Sequence, residues 1–159
     1  MKSRAQICRY AWLGSCTLAD VIGPTDVMPL LLHACPSFTE AWQEAEAENA
    51  DDGSAGGRLF YLDAGAFIRH LVSLRLAEET AEFPAAFEVL ERLLLEGDQY
   101  VQNLAVIGYV EGFQMMTVTA AGLSPEDDFR PWLGHEAERW WERVNRFWEG
   151  GPTALNEDT

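Results

Sequence analysis

An all-α, single-domain bundle is the fold class this sequence predicts, on three observations. Apolar residues recur at three- and four-residue spacing along most of the chain. Residues that start and stop helices punctuate the segments between them. No alternating apolar–polar run is present, and no Asn-Gly or Asp-Gly turn joins two such runs into a hairpin. The chain has 159 residues, 48% of them hydrophobic, with six Trp and eight Phe. That length buries about two-thirds of its unfolded surface in one core. Six or seven short, mostly antiparallel helices are expected around a central apolar helix, 98–116.

Residues 1–24 differ from the rest, being basic, without period and closed by Gly23-Pro24. They are expected to form a poorly ordered arm, with Met28 a natural start for the domain proper, 25–150. Val27, Leu30, Leu31 and Ala34 make the first helical stripe, stopped by Pro36. Ser37 and Glu40 read as a capping box, each satisfying a free backbone N–H of a helix that runs through Trp42 to about Glu48. Asn49 to Gly57 is too polar and glycine-rich to pack and reads as a loop.

Leu59, Leu62, Phe67, Leu71 and Leu74 then repeat at helical period. Pro84 suits a first helical turn, and Phe83, Phe87, Leu90, Leu93 and Leu94 share a face behind it. Gly97 ends that helix and Asp98 caps the next. Val101, Leu104, Ala105, Val106, Ile107, Val110 and Phe113 surround the axis of 98–116, the pattern of a helix covered on all sides. Gly108 and Gly112 stand one turn apart there and predict close approach of a neighbouring helix. Ser124-Pro125 opens a short helical turn. After Gly134, the residues Trp140, Trp141, Val144, Phe147 and Trp148 form the broad aromatic face of a last helix. Gly150-Gly151-Pro152 ends it, leaving 151–159 as a frayed tail.

Charge narrows the function. Twenty-six carboxylates stand against eleven basic residues, for a net charge of -15. Lys2, Arg4 and Arg9 account for three of the bases, leaving 26 acids against eight arginines from Tyr10 onward. Such a surface repels nucleic acid and anionic membranes and attracts basic proteins. No apolar run approaches the ~20 residues a bilayer span requires. Cys8, Cys16 and Cys35 are odd in number and lack a disulfide framework, which fits reduced thiols in a cytoplasmic protein. Leu13-Gly14-Ser15-Cys16 loosely resembles a lipoprotein cleavage site, but Arg9 interrupts the short apolar stretch before it.

Candidate chemistry is sparse. His33 and Cys35, two apart on a helix, point in different directions, and His70 reads as a partly buried core histidine. There is no Cys-x-x-Cys, no helical Glu-x-x-His, no Gly-x-Ser-x-Gly elbow and no phosphate-binding loop. Neither a catalytic residue nor a metal nor a cofactor is therefore expected. Glu44, Glu48, Asp51, Asp52, Glu78, Glu79 and Glu82 fall in two acid-rich stretches. Each stretch is either a solvated face or a docking surface for a basic protein. Asp98, Asn103 and Glu111 are candidates for a cleft. Glu111, inside the apolar helix, either accepts hydrogen bonds from Asn103, Gln114 or a core arginine, or lines that cleft; general-base use lacks a second group. Trp132, Trp141 and Trp148 are core residues or aromatic anchors for a partner. The aromatic surplus also leaves room for a homodimer.

Two stretches carry a resemblance: Glu96-Gly97-Asp98-Gln99-Tyr100-Val101-Gln102-Asn103-Leu104 with Gly108, Glu111 and Gly112, and Leu133-Gly134-His135-Glu136 with Trp140-Trp141 and Asn145-Arg146-Phe147-Trp148. With Met28–Phe38 they resemble a bacterial family of small acidic helical proteins of unknown function, over roughly Val27 to Gly150. Proteins of this kind resemble immunity proteins of toxin systems. The resemblance implies no catalytic residue. The expectation is a non-enzymatic binding protein, an immunity protein or antitoxin that occludes a basic toxin. The alternatives are a DNA-mimicking acidic inhibitor of a nucleic-acid-binding protein, and a small enzyme using Glu111 and Asp98.

Overall fold

The structure, a computed structural model, describes residues 20–49 and 60–150. Seven helices are found among the described residues. They are α1 (Pro24–Ala34), α2 (Thr39–Asn49), α3 (Phe60–Leu76), α4 (Phe83–Glu96), the rod α5, α6 (Met116–Ala120) and α7 (His135–Trp148). The rod is Gln99–Asn103, continued without a break by a π-helical stretch, Leu104–Val110, and a closing α-turn, Glu111–Gln114. No strand occurs among the described residues, apart from an isolated bridge between Ile22 and Gly97. The bundle is all-α, as the periodicity predicts.

The rod is central: α3, α4 and α7 all pack on it, α2 backs α3, and α1 lies on α4. Its sequence explains this position. Leu104, Ala105, Val106, Tyr109 and Val110 are all buried within the seven-residue π stretch, so apolar side chains leave the axis in most directions. Ile107 departs from the expected all-round burial and is exposed. Gly108 and Gly112 let α3 come close: a Cβ at Gly108 would lie 3.2 Å from that of Ala64, and one at Gly112 would strike the Ile68 side chain.

Aromatic rings fill the space between rod, α4 and the 125–132 turns. Phe87 stacks on Phe113 at 5.4 Å, Phe113 on Phe129 at 5.0 Å, and Phe129 on Phe83 at 6.1 Å. Offset stacking of this kind adds about 1 kcal/mol per pair beyond burial.

The helix ends are satisfied by distinct devices. Asp98 caps the rod, accepting from Val101 N at 2.8 Å, and Asp26 accepts from Gly23 N ahead of α1. At α7 the cap comes from another helix: the Glu91 carboxylate on α4 accepts from the N–H groups of Glu136 and Ala137 at 2.7 and 2.9 Å. The expected capping box at Ser37 is absent. Pro36–Phe38 forms a 3-10 turn instead, and the Ser37 side chain turns towards α3 and α4.

Two expected boundaries change. The basic residues 1–19 and the expected tail 151–159 lie outside the described residues, as do residues 50–59, which hold most of the expected loop and the candidates Asp51 and Asp52. Residues 20–24, placed by the sequence reading in the arm, include a core residue. Ile22 is 5% exposed, donates to Glu96 O at 3.0 Å and accepts from Asp98 N at 2.9 Å. The expected aromatic face of α7 is also narrower. Ala137, Trp141 and Val144 are buried, whereas Phe147 and Trp148 are exposed and pack edge-to-face on each other.

Candidate functional site

The acids divide into two populations. At the α7 end several are held in ion pairs. Arg130 binds Glu126 at 2.7 Å and Glu138 at 2.5 Å and also contacts Glu142, while Arg75 pairs with Asp128 and Arg139 with Glu136. Burial tends to raise the Glu126 carboxyl, but donation from Arg130, Trp141 and Asn145 outweighs it and holds the group below the usual carboxylate range. The α2 side differs. Helix α2 buries Trp42 and Ala45 and exposes Glu40, Glu44 and Glu48. Glu78 and Glu79 are exposed away from α2, in the turn after α3, Glu78 at a positive φ of 60° and in a groove with Arg75, Asp128 and Trp132. None of these five glutamates has an ion-pair partner among the described residues. Glu44 and Glu48 line a groove of about 310 Å³ with Arg69, His70 and Ser73 of α3.

Glu82, expected on that exterior, is turned inward instead. It stands at the N-cap of α4, half-buried, and joins Cys35, Ser37 and His70. The Ser37 hydroxyl is the hub: it donates in a short hydrogen bond to Glu82 Oε2, lies 2.9 Å from His70 Nε2, and lies 3.6 Å from Cys35 Sγ. The Cys35 thiol donates to Glu82 Oε2 at 3.2 Å, and Ser37 N to Glu82 Oε1 at 3.3 Å. Burial pushes the Cys35 thiol up to about 11 and holds the His70 imidazole below its ordinary value. On Glu82, burial is outweighed by donation from Ser37 and Cys35, so it stays ionised below the usual range.

This cluster is not a nucleophilic relay. A relay needs the carboxylate behind the imidazole and the imidazole on the hydroxyl. Here the carboxylate takes the hydroxyl proton directly, and the thiol is protonated at neutral pH. What the cluster offers is a sulfur, a nitrogen and an oxygen ligand converging from three elements. The sequence reading missed it because positions 35, 70 and 82 share no local motif. The fixed signal was Pro36, which ends α1 and turns Cys35 and Ser37 towards His70.

The other candidates separate. Asp98 is occupied as a cap. Asn103 accepts from Gln99 and faces a groove of about 290 Å³ with Arg139, Trp140 and Arg143. Glu111 receives none of its three expected donors among the described residues, Gln114 donating instead to Trp141 O; desolvation raises its carboxyl. The three do not form one cleft. Trp141 is fully buried, its indole N–H donating to Glu126 at 2.9 Å, so it cannot anchor a partner. Trp132 is half-buried, its ring edge on Phe83 at 5.3 Å. Trp148 is 60% exposed. No helix among the described residues is long and apolar enough to cross a membrane.

Fold and surface together define a single-domain, acidic, all-α protein. Residues 28–149 match the profile of a family described as Domain of unknown function (DUF7674), and the chain belongs to that family. No curated protein and no solved structure shows a significant match to it.

Proposed function

We propose that this chain is a non-enzymatic, cytoplasmic binding protein of the immunity or antitoxin type, which blocks a basic protein toxin by covering its substrate cleft. The observation that carries the reading is the uneven neutralisation of its acids. Glu40, Glu44, Glu48, Glu78 and Glu79 stand exposed without ion-pair partners among the described residues, while the α7 end is held by arginines. Exposed charge of one sign without ion-pair partners steers a partner of opposite sign and raises its association rate. Trp148, exposed at the end of α7, is an aromatic side chain open to serve as an anchor. The 96–112 and 133–148 motifs resemble a family of small acidic helical proteins of unknown function, and the analogy between proteins of that kind and immunity proteins favours the same reading.

The test is a pull-down from the source cell with products of neighbouring genes as bait, followed by stopped-flow association with the captured protein. The combined substitution Glu44→Lys, Glu48→Lys and Glu79→Lys is expected to slow association at least roughly tenfold at low salt. Glu138→Gln on α7, which removes a carboxylate already paired with Arg130, should change it little. No captured toxin, or association indifferent to the triple substitution, would reject the proposal. Displacement of the partner by duplex DNA would replace it with nucleic-acid mimicry.

A further inference from the structure

We propose that Cys35, His70 and Glu82 form a binding site for a zinc-like divalent transition-metal ion, with one coordination position open to solvent. The ligand atoms of these three side chains all lie within 4.8 Å of one another. They come from three elements: the α1–α2 connection, the middle of α3 and the N-cap of α4. A thiolate, an imidazole and a carboxylate make a donor set characteristic of Zn²⁺, whereas Mg²⁺ and Ca²⁺ select oxygen. Spacing agrees with this choice. Ligands at about 2.3 Å for sulfur and about 2.0 Å for oxygen span a tetrahedral edge of about 3.5 Å. Cys35 Sγ and Glu82 Oε2 stand 3.2 Å apart.

The three groups converge on the Ser37 hydroxyl, which contacts each of them. An ion takes over that hub when Ser37 χ1 rotates its oxygen aside. Binding forms metal–sulfur, metal–nitrogen and metal–oxygen bonds and breaks the S–H bond of Cys35. One proton leaves to solvent per ion bound. Ser37 is exposed, so the fourth position faces water, the arrangement of a three-ligand zinc site rather than a closed structural one. The site concerns the interior edge of the bundle and does not depend on the acidic exterior or its partner.

Cobalt(II) is the spectroscopic probe, added to the full chain. With Cys8→Ser and Cys16→Ser in place, one equivalent is expected to give a sulfur-to-cobalt charge-transfer band, removed by added Zn²⁺. In that same background, Cys35→Ser should abolish the band, and His70→Gln and Glu82→Gln should each weaken binding by roughly tenfold or more. Ser37→Ala, which clears the hub, should retain it. Absence of the band from the Cys8→Ser, Cys16→Ser chain overturns the site, as does undiminished cobalt affinity in both His70→Gln and Glu82→Gln. Should Cys35→Ser lose its circular-dichroism signature, alkylation of Cys35 in the Cys8→Ser, Cys16→Ser chain decides. Protection by Zn²⁺ supports the site, and equal alkylation with and without Zn²⁺ overturns it.

Discussion

Among the described glycines, Gly97 leaves the least room between its Cα and neighbouring backbone. A Cβ there would collide with the carbonyl oxygen of Leu93 and the Val101 side chain. Its φ of -70° suits any residue, so the requirement is space and not conformation. Backbone cannot step aside as a long side chain can, so Gly97→Ala is expected to cost about 2 kcal/mol by overpacking, read as a lower urea midpoint. Glu111 makes the opposite case. Its carboxyl is raised by desolvation, and a carboxyl raised in the folded state penalises folding at every pH above its folded pKa. The penalty fades as pH falls through that value and is gone below the unfolded one, near 4.5. Glu111→Gln should therefore unfold at a higher temperature than the parent at pH 7. Below pH 4.5 the two melting curves should coincide. A variant less stable at pH 7 would show that the carboxylate holds the fold together.

At the scale of elements, Ile22 ties the chain ahead of α1 to the α4–α5 junction by two backbone hydrogen bonds. Its side chain is buried at the same point. Ile22→Ala keeps the hydrogen bonds and removes the packing, and is expected to cost about 3 kcal/mol in chemical denaturation. A loss within experimental error would return residues 20–24 to the status of an arm. This element also shows why the sequence is legible only in part. Helix periods and caps are local, so α1, α4, the rod and the Asp98 cap follow from neighbours in the chain. The Ile22 tether is backbone pairing with Glu96 and Asp98, which no side-chain pattern announces. The cap on α7 is similarly remote: Glu91 approaches so closely that a Cβ at Gly134 would meet its carboxyl. Gly97, Gly108, Gly112 and Gly134, prominent in the two recognised stretches, thus answer to packing. The Cys35–His70–Glu82 cluster was illegible for the same reason, since its members meet only when α1, α3 and α4 have docked.

For the whole molecule, the question is whether the acid excess is felt as repulsion or absorbed by internal ion pairs. At 0.01 M salt the screening length is about 30 Å, so charges across the whole domain interact; at 0.15 M it is about 8 Å. A net charge of -15 therefore opposes compaction most at low salt, and screening relieves it. Salt also weakens the pairs of Arg130, Arg75, Arg92 and Arg139, but their side chains are partly exposed, and exposed pairs contribute on the order of 0–1 kcal/mol each. Repulsion among many unpaired carboxylates extends further than these few contacts. Raising NaCl from 0.01 to 0.15 M should thus lift the melting temperature by roughly 3 °C, as expected of about 1 kcal/mol in a domain this size. Glu44→Lys with Glu48→Lys should reduce that gain, because it removes like charge from the unpaired side. A melting temperature that falls with salt would mean the arginine pairs dominate. The α2 side would then lack the surplus field that steering a basic partner requires.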